Sequence, residues 1–66
     1  MKLYWPCAET TTRPLWTYDS ALSIDDCMKV FRCWKYGYGE TLAKAWIDVH
    51  ENGEKIDTIE IGVDAI

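Results

Sequence analysis

The sequence predicts a small α+β domain: an antiparallel sheet of three or four strands with one helix packed across one face. Three observations predict it. Apolar residues recur at helical spacing from Ile24 onward, ending near Tyr38. A stretch of alternating apolar and polar residues folds back on itself around Asn52-Gly53, and two short aromatic runs nearer the N-terminus have strand composition. The element order is therefore β-β-α-β-β, or β-α-β-β if the first run forms no strand. The 66 residues make a single domain spanning 1–66.

The N-terminal runs are Leu3-Tyr4-Trp5 and Leu15-Trp16-Thr17-Tyr18, separated by an exposed loop from Glu9 to Pro14. Pro6 and Pro14 lack the N–H that a ladder needs, so they confine both strands to sheet edges or delay their start. The helix is predicted from about Ile24 to Tyr36. Ser23 is a good N-cap, and Asp26 three residues on approximates a capping box. At about 100° per residue, Ile24, Cys27, Met28, Val30, Phe31 and Trp34 share one arc. Asp25, Asp26, Lys29, Arg32 and Cys33 share the other, and Lys35 falls near the seam. Asp25 and Asp26 at the start, with Arg32 and Lys35 at the end, complement the helix dipole. Gly37 or Gly39 supplies the left-handed stop.

The hairpin runs from Leu42 to His50 and from Glu54 to Val63. Asn-Gly suggests a two-residue turn, but that register would set odd residues opposite even ones. A three-residue loop with Gly53 as a left-handed bulge residue keeps the apolar faces together. It groups Ala43, Ala45, Ile47 and Val49 with Ile59, Ile61 and Val63, and sets Lys44 opposite Glu60 and Trp46 opposite Thr58.

A domain this small buries only about 60% of the surface that its unfolded chain exposes, so it needs compensation. Four Trp, four Tyr and one Phe point to aromatic packing, within the chain or across a subunit interface. Disulfides are not the expected aid: Cys7, Cys27 and Cys33 are odd in number and contain no C-x-x-C pair. The short apolar stretch before Pro6 does not make a secretory signal, and no run is long enough to cross a membrane. Reduced thiols in a cytoplasmic protein are expected. Cys27 lies on the apolar arc and Cys33 on the polar one, so the first should be buried and the second reactive.

Those three cysteines and His50 do not have the close paired spacing of a zinc ribbon or finger, and no metal or other cofactor is expected. A Cys–His nucleophilic pair would lack an orienting third residue and a sequestering pocket. The expectation is thus no enzyme and no small-molecule substrate. The net charge of −4 is uneven: residues 1–39 carry five basic against four acidic side chains, and residues 40–66 carry two against seven. The acidic half would repel a phosphate backbone.

Three function readings follow. The leading one is a non-enzymatic protein–protein interaction module that forms a homodimer through the outer sheet face. There Trp46, Ile56, Thr58 and Leu42 are placed opposite the helix-covered side, and exposed apolar groups that cluster mark interfaces. The second is an acidic regulator, mimicking the charge of DNA to inhibit a nucleic-acid-handling protein, through Asp48, Glu51, Glu54, Asp57 and Glu60. Solvated acidic strands that discourage aggregation are the simpler account of those residues. The third is a weak nucleic-acid contact through Lys29, Arg32 and Lys35 beside Tyr36, against which stands their service to the helix's own charges.

Overall fold

The computed structural model describes residues 1–39 and 41–66. Its four strands are β1 (Lys2–Thr10), β2 (Trp16–Thr17), β3 (Leu42–Glu51) and β4 (Glu54–Ile61), and α1 (Ile24–Arg32) falls between β2 and β3 in the chain. The strands form one antiparallel sheet in the order β2-β1-β3-β4, so the fold is α+β with the order β-β-α-β-β. The helix crosses one face and packs on β1 and β3.

The helix begins as its residues dictate. Ser23 is extended and its hydroxyl accepts the Asp26 N–H at 3.2 Å. Cys27 and Phe31 are fully buried while Cys33 is exposed. The end differs from the prediction. The α-helix closes at Arg32 and a wider π turn, Cys33–Gly37, follows, with the Tyr38 N–H donating to the Cys33 carbonyl. Trp34 is buried within this turn, and its neighbours reach the chain's last residues. The Lys35 ammonium and the Tyr36 hydroxyl both donate to the Ile66 main-chain oxygen, at 3.2 and 2.9 Å. Lys35 lies at the seam because its partner is there, which helps to bury Ile66.

Three expectations for the sheet are corrected. Pro6 does not confine its strand to an edge, because β1 lies between β2 and β3 and runs through the proline. The reason is parity. Tyr4 exchanges backbone bonds with Ala21, and the Thr10 N–H donates to the Arg13 carbonyl, so even residues of β1 turn their backbone groups toward β2. Pro6 shares that parity and stands where residues 18–20 leave the sheet, so its missing N–H removes no bond to β3.

The hairpin turn is also corrected. Glu51 pairs with Glu54 around a two-residue loop, with Asn52 at φ 53° and Gly53 at φ 82°, the geometry of a type I′ turn. The extra residue sits in β4 instead. Ile56 is bulged between the pairs His50–Lys55 and Val49–Asp57, which restores odd-to-odd pairing: Ile47 faces Ile59 and Ala45 faces Ile61. From Ala45 onward the faces are those predicted, but the register differs by two residues, so Trp46 opposes Glu60 and Thr58 opposes Asp48.

The core lies under α1 and joins Cys27, Phe31 and Trp34 to Ala8, Leu42, Ala45, Ile47, Val49 and Ile66. Full burial of a side chain such as Phe31 or Ile47 contributes about 1.5–3 kcal/mol. Trp16 extends the core sideways by stacking on Trp34 at 5.0 Å, and Phe31 meets Trp34 edge-on at 5.7 Å. Leu42 belongs to this core and not to the outer face. A register shift pairs Glu9 with Lys44 but Thr10 with Leu42, so Ala43 is skipped and exposed while Leu42 turns inward.

Candidate functional site: the outer face of the sheet

The face of the sheet opposite α1 is covered by no other element among the described residues. Alternation along β3 brings Lys44, Trp46, Asp48 and His50 to it, and pairing with β1 brings Leu3, Trp5, Cys7 and Glu9. From β4 come Lys55, Thr58 and Glu60. Leu3, Trp5, Trp46 and His50 are each half-buried. Trp5 lies opposite Asp48, with Trp46 and His50 on its two diagonals, and its ring meets His50 at 6.0 Å and 60°.

Cys7, small and directly opposite Trp46, forms the floor of this face and is only 3% exposed. Its single S–H has two acceptors within reach, the Trp5 carbonyl at 3.5 Å and Asp48 Oδ2 at 3.7 Å. The other carboxylate oxygen, Asp48 Oδ1, accepts from the Thr58 hydroxyl at 3.2 Å and pairs with the Lys55 ammonium at 3.3 Å. The carboxylate at the centre of the face is thus tied to β1 and β4 at once. Burial, and then the nearby Asp48 charge, push the Cys7 thiol up to about 11. Cys27 is likewise pushed up to about 11, by burial and then by Asp26. Both are protonated at neutral pH, which closes thiolate chemistry to them there. Among the described residues, no group of three or more His, Cys, Asp or Glu side chains is placed to hold a metal ion.

The predicted interface residues are divided. Trp46 and Thr58 lie on this face, Ile56 is the exposed bulge residue near its end, and Leu42 is in the core. The predicted acidic residues do not form one patch. Asp48 and Glu60 lie on the outer face, Asp57 occupies the helix-side register and accepts the Thr58 N–H at 2.8 Å, and Glu51 and Glu54 face each other across the turn. On the helix, Lys29 pairs with Asp26 at 3.7 Å and Lys35 reaches the Ile66 main-chain oxygen. Two charges of the basic strip are therefore engaged within the chain.

Trp5, Cys7 and His50 were not expected on this face. The odd-numbered alternation Leu3, Trp5, Cys7 is the signal that places the first two, once Pro6 is allowed inside a central strand. No helix of the described residues is long and apolar enough to cross a membrane. Comparison with known proteins finds no matching family model, no matching curated protein and no matching solved structure.

Proposed function

We propose that the protein is a non-enzymatic interaction module that pairs with a second copy of itself, outer sheet face against outer sheet face. One observation carries the reading: two indoles, Trp5 and Trp46, lie diagonally adjacent on a face that no other described element covers. Tryptophan is among the residues that most often carry interface energy, and it does so near the centre of a patch. Trp46 has that central position, between Cys7 on one side and Glu60 on the other. Three long strands about 4.8 Å apart, each roughly eight residues in length, make a face of about 14 by 27 Å. Counted on both copies of a face-to-face dimer, that footprint is about 750 Å², below the ~1,200 Å² of the smaller stable interfaces, so the pairing belongs to the weak, transient class.

The charges suit a two-fold arrangement. Lys44 and Lys55 share the face with Asp48 and Glu60, so rotating one copy on the other can bring opposite signs together. All three cysteines are free, which fits a reducing compartment, and we place the protein in the cytoplasm.

Sedimentation across a concentration series tests the reading. The parent should pass from monomer to dimer, and Trp46→Ala should weaken the dimer by about 2 kcal/mol, roughly 30-fold, with unchanged far-UV circular dichroism. A parent that stays monomeric up to millimolar concentration ends the proposal. A variant that dimerises like the parent moves the interface elsewhere.

A second reading, an acidic regulator of a nucleic-acid-handling protein, is favoured by the hairpin end. Like charges directly opposite one another destabilise a strand pair, yet Glu51 opposes Glu54 there. Salt-sensitive capture of a DNA-binding protein that Glu51→Gln/Glu54→Gln abolishes would support it.

A further inference from the structure

A second surface lies apart from the face of the proposed dimer. Between β2 and α1 runs a groove of about 400 Å³. Val30 and Trp34 from the helical segment and Trp16, Tyr18 and Tyr38 from the flanking chain line it, with Lys29 on its rim. One wall is the edge strand of the sheet. Because even residues of β1 turn their backbone groups toward β2, Ala8 and its partner Trp16 bond to each other. Thr17, one residue on, must then turn its N–H and C=O to the open side. No backbone bond from a turn or loop reaches them among the described residues.

An unpaired strand edge beside an apolar groove is the arrangement that captures extended peptides. The edge supplies backbone bonds and the groove receives alternate side chains. The charges select among peptides. Lys29 projects at the rim, and its pair with Asp26 is long and largely exposed, so it contributes little and can be exchanged. The Arg13 guanidinium covers Trp16 at 4.9 Å. Both charges are positive and suit carboxylates. A nucleobase is a poorer fit, because the Trp16 ring is already stacked on Trp34 and overlain by the Arg13 guanidinium. We infer that this groove binds an extended acidic segment of a partner protein, added as a strand to the free edge of β2 with its apolar side chains set between β2 and α1.

The test is an NMR titration of the full ¹⁵N-labelled chain with three probes. These are a blocked hexapeptide alternating leucine with aspartate, the same peptide with lysine for aspartate, and an oligothymidylate. The acidic peptide should move the amides of Trp16, Thr17, Lys29 and Trp34 and saturate below millimolar concentration, and the lysine peptide should bind at least tenfold more weakly. Thr17→Pro removes the N–H that the edge offers while leaving the bonds to β1, so it should weaken the acidic peptide at least tenfold. Should that variant not fold, Lys29→Glu, at an exposed position, should invert the preference between the two peptides. No amide movement, shifts confined to Trp5, Cys7 and Trp46, or equal binding of both peptides would each overturn the inference. So would full binding by a folded Thr17→Pro, or an oligothymidylate that binds these amides more tightly than the acidic peptide.

Discussion

Replacing Gly53 by alanine isolates the turn on which the hairpin closes. Gly53 has φ 82°, and a Cβ built on it meets nothing within 4 Å. Steric collision therefore contributes nothing, and the cost is that of the backbone alone. Holding an L-residue in the left-handed region costs about 1–2 kcal/mol. Alanine also restricts the unfolded chain, which returns about 0.4–1 kcal/mol. The net loss should be about 1 kcal/mol, which lowers the melting temperature of a domain this size by roughly 4–8 °C. Gly62 is the matched control. Its φ of −67° suits any residue, and a Cβ there also meets nothing within 4 Å. Gly62→Ala should gain the unfolded-state term without the strain, and so raise stability by about 0.4–1 kcal/mol. Thermal and urea melts of the two variants should move in opposite directions. A neutral Gly53→Ala beside a stabilised Gly62→Ala would mean that the turn is not type I′.

Three further outcomes are expected. Ser23→Ala should cost about 1 kcal/mol in a urea melt, because it orphans the Asp26 N–H at the start of α1. A thiol reagent should label Cys33 quickly and spare Cys7 and Cys27, and fast labelling of Cys27 would refute the helix orientation. Stability should also fall at alkaline pH. A thiol whose folded pKa is raised to about 11 contributes stability that is intact below its unfolded value near 9 and is lost as the pH rises through 11. For Cys27 the loss is on the order of 2–3 kcal/mol. Urea melts from pH 8 to 11 should therefore fall less steeply for Cys27→Ala than for the parent, and equal slopes would refute the assignment.

What was legible in the sequence depended on whether a local signal sufficed. The helix start was, since the Ser23 cap and the split between Cys27 and Cys33 follow from residues within two turns. So was the inner face of the hairpin, because alternation is unchanged by a slip of two residues. For the same reason the register was not: the type I′ turn changes parity once and the bulge at Ile56 changes it back, so two routes lead to the same faces. A bulge that nothing cancels does swap the faces. The shift near Thr10 turned Leu42 inward, where strict alternation from Trp46 had set it outward. The candidate site divides along the same line. Trp46 was placed by alternation within its own strand, but Trp5 and Cys7 join it only because β1 pairs along the length of β3. That pairing passes through Pro6, whose missing N–H is harmless only on the side facing β2. Which side a strand residue's N–H takes is fixed by its partners and not by its own sequence. The proline expected to hold its strand at an edge therefore stands within a central one, and the outer face gains the tryptophan that makes it a surface of two indoles instead of one.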